Sequence, residues 1–223
     1  TTHFNEHVGA IAATSVMGRD KERQVIQEFI HKKNDSPRLL IVEGDAGIGK
    51  STLIREIFAK EKELRSSVLF GSGDSVEVGT SFFPWRSIFS AILEPDFEDL
   101  SLKERRKRIL DRLGPEHHSR SPLLESVLPL DWPENTGTTS LIGEARGDQT
   151  LDLLTALLFS ESEEQKLFFV IEDVHWIDSA SWRLIRRLYH QLTNVCFVLT
   201  LRPVTEAISA DFEYLKNRRE TVI

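Results

Sequence analysis

Residues Gly44 to Ser51 read G-D-A-G-I-G-K-S, between the apolar run Leu39-Leu40-Ile41-Val42 and a segment, Thr52 to Lys62, in which Leu53, Ile54, Ile57 and Phe58 recur at helical spacing. A strand that enters a helix through a glycine-rich turn ending in Lys-Ser leaves little freedom. The strand must lie in a covered sheet, and the turn must sit at the sheet's carboxyl edge. Glycines at 44, 47 and 49 let the backbone bend tightly and turn successive NH groups toward an anion, which also faces the positive end of the helix. The pattern therefore predicts that Gly44, Asp45, Ala46, Gly47, Ile48, Gly49, Lys50, Ser51 and Thr52 hold a polyphosphate. Lys50 supplies a flexible point charge to the β and γ phosphates, and the Ser51 hydroxyl is placed to ligate Mg²⁺.

The rest of the chain agrees with such a sheet. Asp20 to Lys32 carries Val25, Ile26, Phe29 and Ile30 at helical spacing, with Asp20 as an expected N-cap and Pro37 closing the segment. Strands are expected at Arg38 to Glu43, Ser67 to Phe70, Lys166 to Ile171 and Val195 to Leu201, and a last strand begins at Thr221-Val222-Ile223. Ser179 to Leu192 is a helix turning Trp182, Ile185, Leu188, Tyr189 and Leu192 inward. Between Ser72 and Gln165 the chain is longer than a crossover needs, and prolines break it into helical pieces, so it reads as a helical insertion. The expected fold is α/β: a P-loop NTPase three-layer α/β/α sandwich with a mainly parallel sheet. Residues 1–15 read as a linker from a preceding domain, and 16–223 as the NTPase domain, truncated near its last strand and lacking a lid.

Composition narrows the classes of function. With 223 residues, 40% of them hydrophobic, the chain can bury a core, and its formal charge of −7 disfavours broad binding to nucleic acid or an anionic membrane. The single cysteine, Cys196, sits in an apolar run and reads as a buried reduced thiol, which fits a cytoplasmic protein. No apolar stretch approaches the ~20 residues that span a bilayer. The basic run Lys103 to Arg108 reads first as a solvated helix face, with an acidic partner as the alternative. Arg146-Gly147-Asp148 and Asn34-Asp35-Ser36 match adhesion and glycosylation signatures and read as accidents.

A P-loop that works on Mg-nucleotide needs a carboxylate at the end of a neighbouring strand. Phe168-Phe169-Val170-Ile171 runs into Glu172-Asp173, the Walker B layout. Adjacent strand-end residues point in different directions, so Glu172 is expected to serve the metal and Asp173 to act as general base or to orient water. Glutamate in the metal position is one methylene longer than the more usual aspartate.

Taken together, Val16-Met17-Gly18-Arg19-Asp20-Lys21-Glu22, the loop, Phe83-Pro84-Trp85, the run E-D-V-H-W-I-D-S-A-S at 172 to 181, and Leu201-Arg202-Pro203 resemble the AAA-type ATPase module of the STAND class. Such modules sit beside class III cyclase domains in soluble (type 10-like) adenylyl cyclases, and they occur in large bacterial regulators and kinases. The resemblance spans the chain from Val16 to its C-terminus. It implies ATP as the nucleotide, with Val16, Met17, Gly18 and Arg19 near the adenine and Arg202 as a sensor of the γ phosphate. A surface arginine before a turn-forming proline is the alternative for Arg202. His175 is either a relay of phosphate state or a core histidine, and Asp178 is expected to cap the following helix. His117-His118 has no matching metal-ligand spacing.

The expected function is ATP binding with Mg²⁺-dependent hydrolysis, as a regulatory switch inside a larger signalling protein. Its partners would be the nucleotide, flanking domains of the same polypeptide and other proteins. A module that holds nucleotide without turning it over and an origin-recognition-like AAA+ ATPase acting on DNA stay open as alternatives, and a small-molecule kinase ranks behind them.

Overall fold

Every strand pair in the sheet is parallel, as buried apolar runs separated by helices require. The computed structural model describes residues 18–32, 38–64, 67–93, 97, 99–203, 208–217 and 221–222. Its strands are β1 (Leu39–Glu43), β2 (Val68–Ser72), β3 (Leu167–Glu172), β4 (Val195–Leu201) and β5 (Thr221–Val222). They lie in the order β2-β3-β4-β1-β5. The strand that ends in Glu172 is therefore not hydrogen-bonded to the strand that leads into the phosphate loop. This corrects the expectation of neighbouring strands: β4 lies between them, with Leu39 opposite Phe197 on one side and Phe169 opposite Phe197 on the other.

Alternation along the strands divides the core in two. Leu40, Val42, Val68, Phe168, Val170, Cys196 and Val198 face helix α1 (Asp20–His31) and helix α2 (Lys50–Lys60), meeting Ile26, Phe29, Ile30, Leu53, Ile54, Ile57 and Phe58. The opposite face, with Leu39, Ile41, Phe169, Ile171, Phe197 and Leu199, meets α3 (Trp85–Leu93), α5 (Gly143–Glu164) and α6 (Ser179–Gln191). Phe169 lies between Trp85 and Phe197, with ring centroids at 5.5 and 5.3 Å. Burying a side chain of this size contributes roughly 1.5–3 kcal/mol. Helices on both faces of the sheet make the three layers that the sequence predicts.

The expected insertion is helical: α3, then α4 (Leu102–Arg112), a 3-10 stretch at Pro115–Ser126, a single turn at Thr136–Thr139, and α5. Its last part, α5, shares the core cluster of the sheet face opposite α1 and α2, packs beside the 3-10 stretch and α6, and leads into β3. The basic face of α4 starts from a reciprocal cap, in which Ser101 and Glu104 satisfy one another's backbone NH groups. Arg146-Gly147-Asp148 lies inside α5 with both charges paired, to Glu134 and Arg183. Asp20 is not a cap: it is the first residue of α1, the N-cap is Arg19 in a left-handed conformation, and no side chain caps that end. Asp20 instead places its charge in the first turn, where the helix dipole favours it. Pro37 and Asn34-Asp35-Ser36 lie outside the described residues. A short helix α7 (Ala210–Lys216) packs Phe212 against Trp182. No helix of the described residues is long and apolar enough to cross a membrane.

Candidate nucleotide site

The loop from Gly44 to Gly49 rises from the carboxyl end of β1. Gly47 and Gly49 hold φ of 76° and 89°, left-handed values that strain any other L-residue. A Cβ on Gly44 would fall 2.3 Å from Cδ1 of the exposed Ile48 side chain, which would have to swing away to make room. Gly44 donates its NH to the Leu201 carbonyl at 3.2 Å, which ties the start of the loop to the end of β4. Helix α2 opens at Lys50 with Gly49 as its N-cap and no side-chain cap, which leaves the NH groups of its first turn for an anion. Asp45, Ala46, Gly47 and Ile48 are exposed, and Ser51 and Thr52 are half-buried. Lys50 is buried, and its Nζ donates to the carbonyl oxygens of Gly44 at 2.6 Å and Asp45 at 3.0 Å.

Gly18 and Arg19 reach the same loop. Both are left-handed, with φ of 82° and 65°, and this pair of turns brings the Arg19 guanidinium to the Ile48 carbonyl, to which it donates. Val16 and Met17 lie outside the described residues.

At the end of β3 the two carboxylates part. Glu172 follows Phe168 and Val170 on the face toward α2, and there Arg55 grips it side-on, Nε to Oε1 at 3.2 Å and Nη2 to Oε2 at 3.1 Å. Asp173 leaves the strand in a left-handed conformation, φ 50° and ψ 48°, uncommon for a residue with a side chain and typical of strained sites. Its NH donates to the Thr200 hydroxyl at 3.1 Å, and its carboxylate has no hydrogen-bond partner among the described residues.

Arg202 follows β4 directly, is exposed, and pairs with no described residue. His175 lies in the 3-10 turn Val174–Trp176, and both of its ring nitrogens are shut off from solvent with no hydrogen-bond partner. Burial holds the imidazole below its ordinary pKa. The Asp173 carboxylate opposes that shift, and the charges of Arg202 and Lys50 add to it. Asp178 caps α6 as expected, accepting from the Ser181 NH at 2.9 Å. It also accepts from the Phe82 NH at 3.0 Å, which holds the left-handed Phe82 of the loop before α3. His118 donates from Nε2 to the carbonyls of Leu110 at 2.9 Å and Leu113 at 3.1 Å.

Sequence reading missed Arg55, Thr200, Gly73 and Phe82. Arg55 stands one helical turn beyond Ser51, so the spacing alone marks it as sharing that face. Gly73, just past β2, donates its NH to the Glu172 carbonyl at 2.8 Å, and a Cβ there would sit 2.5 Å from the Asp173 carbonyl oxygen. No local pattern announces Thr200 or Phe82, whose partners lie far along the chain.

The donors suit a magnesium ion held jointly with a nucleotide and water. The described residues contain no cluster of three His, Cys, Asp or Glu side chains able to hold a metal ion unaided. A hydroxyl at Ser51 and a carboxylate at Glu172 on the same side of the sheet are what an oxygen-seeking, partly hydrated cation takes from a protein.

Known proteins bear on this geometry. The chain is 23% identical over 220 residues to adenylate cyclase type 10 of Oryctolagus cuniculus, a match covering 93% of this chain and 13% of that protein. It is 22% identical over 215 residues to adenylate cyclase type 10 of Homo sapiens, again covering 93% and 13%. The chain thus spans about one-eighth of the length of these relatives. Among solved structures, a Walker-type ATPase of Pyrococcus abyssi aligns with 14% identity and a TM-score of 0.34, covering 83% of this chain and 45% of that one. The AAA ATPase domain family matches residues 15–199, from the segment before Gly18 through the phosphate loop and Glu172-Asp173 into β4, and the chain belongs to that family.

Proposed function

We propose that this domain binds ATP with Mg²⁺ at the carboxyl edge of its sheet, hydrolyses it, and uses nucleotide state as a regulatory switch within a larger signalling protein. The observation that carries this reading is the loop after β1, where Gly47 and Gly49 are left-handed, α2 opens at Lys50 without a side-chain cap, and the buried Lys50 Nζ rests on the Gly44 and Asp45 carbonyls. In this reading Lys50 leaves the Gly44 and Asp45 carbonyls for the β and γ phosphates. The Asp173 carboxylate, free of hydrogen bonds among the described residues, orients a water molecule and takes its proton as the water oxygen bonds to the γ phosphorus. The bond from that phosphorus to the β–γ bridging oxygen breaks, leaving ADP and phosphate. Arg202 stabilises the charge on the departing phosphoryl group. Ser51 and Glu172 would hold Mg²⁺, which when bound would neutralise phosphate charge. Gly18 and Arg19, together with Val16 and Met17, form the adenine side. The similarity to adenylate cyclase type 10 supports a flanking cyclase domain as the output, and the charge of −7 argues against DNA as the partner.

Calorimetry with ATP tests the reading: Lys50→Ala should abolish binding with the fold intact, and unchanged affinity sinks it. Single-turnover phosphate release that vanishes in Asp173→Ala supports hydrolysis.

A second reading, nucleotide held without turnover, is favoured by the grip of Arg55 on Glu172. Absence of phosphate release from a domain that binds ATP tightly would select it.

A further inference from the structure

We propose that Arg55 is a positioning residue for Glu172, orienting the metal-side carboxylate of the nucleotide site from one helical turn beyond Ser51. The inference rests on the nucleotide site proposed above.

Ser51 and Arg55 stand four residues apart on α2 and share a face of that helix. Glu172 ends β3 on the side of the sheet that α2 covers. Arg55 meets it with two hydrogen bonds, 3.2 and 3.1 Å, one to each carboxylate oxygen. The guanidinium lies over the Phe70 ring at 4.6 Å, and Phe70 belongs to β2, whose register pairs it with Val170 of β3. Three elements therefore fix the plane of the guanidinium, and the guanidinium fixes the plane of the carboxylate. Glu172 is only 8% exposed, so without this partner its charge would be buried and uncompensated.

Each carboxylate oxygen gives one lone pair to Arg55 and keeps another. The pair as a whole is neutral, which weakens direct bonding of the carboxylate to a divalent cation and favours contact through that cation's water.

The test measures binding of a fluorescent ATP analogue to the full chain, in EDTA and across a Mg²⁺ titration. Arg55→Met keeps an unbranched side chain on Phe70 without the charge. It should raise the Mg²⁺ concentration for half-maximal effect about tenfold or more, the scale seen when a metal ligand loses its outer partner. Affinity in EDTA should not change. Glu172→Gln should behave alike, Arg55→Lys should fall between, and Arg55→Met/Glu172→Gln should be no worse than Glu172→Gln alone. If Arg55→Met fails to fold, the double variant, which buries no unpaired charge, is compared with Glu172→Gln: equal midpoints support action through the carboxylate, and a further rise in the double variant overturns it.

An unaltered Mg²⁺ midpoint in a folded Arg55→Met protein overturns the proposal and leaves Arg55 a stability element only. A lowered midpoint also overturns it, because Arg55 would then compete with the metal. Failure of the wild-type chain to bind nucleotide in either condition removes the nucleotide site itself, a result distinct from both.

Discussion

The Thr200 hydroxyl accepts a hydrogen bond from the Asp173 NH at 3.1 Å, so the strand between the phosphate loop and the Walker B strand holds the backbone of the acid expected to orient water. Thr200 is 1% exposed, and Asp173 is left-handed, so the bond secures a conformation that the residue does not prefer. Thr200→Val keeps the shape and removes the acceptor. Leaving the NH unpaired should cost about 1–3 kcal/mol in urea unfolding. Phosphate release should slow more than ATP affinity weakens, as comparison of single-turnover rates with calorimetry will show.

Asp178→Ala removes the cap of α6 and releases Phe82 in one step. The expected loss is about 2–4 kcal/mol, more than a cap alone, because a second buried NH loses its partner. Thermal or urea denaturation checks the magnitude. A loss within 1 kcal/mol, about that of an ordinary exposed cap, would mean that the Phe82 contact contributes nothing.

Gly73 passes so close to the segment after β3 that a methyl group would meet the Asp173 carbonyl oxygen at 2.5 Å, Ile177 Cγ2 at 3.0 Å and Trp176 Cβ at 3.2 Å. Backbone cannot yield as a flexible side chain does, so Gly73→Ala should displace Asp173. The expected outcome is lower stability by about 1–3 kcal/mol and a fall in phosphate release with ATP still bound. Equal turnover in the variant would separate Asp173 from the chemistry.

Burial lowers the pKa of His175 in the folded chain below its ordinary value of 6.5. A depressed folded value means that the unfolded chain binds the proton first. Stability from this group is complete above pH 6.5 and is lost as pH falls through the lower folded value. The carboxylates of Glu56, Glu104 and Glu134, also held below their usual range, act in the same direction but only below the ordinary value of 4.5. Denaturation between pH 7 and pH 5, about the span of histidine titration, should therefore show a slope that His175→Phe flattens. An unchanged slope in the variant would assign it elsewhere. On the alkaline side, burial raises the Cys196 thiol, so its contribution is complete below the ordinary value of 9.0 and declines above it.

Much of this molecule is local and so was legible in its residues. Val195–Leu201 is the strand its apolar run predicts, and Ser179–Gln191 stops one residue short of its expected end. Trp182, Ile185 and Leu188 are buried as their spacing requires, and Cys196 is a buried free thiol. These follow from periodicity, which acts over a few residues. Asp20 was misread as a cap because Gly18 and Arg19 turn left-handed before it, a backbone choice made to bring Arg19 onto the loop.

The chain by itself determined the kind of sheet, the place of the phosphate loop and the pair of acids at a strand end, since glycine, apolar alternation and charge each act where they stand. Only the tertiary structure decided that β4 separates β1 from β3, that Arg55 takes Glu172, and that Thr200 and Gly73 fix Asp173. Strand order depends on how helices cover both faces, and no residue encodes its neighbour across a sheet. Arg55 and Glu172 are 117 positions apart, and their contact exists because α2 and β3 bury the same face.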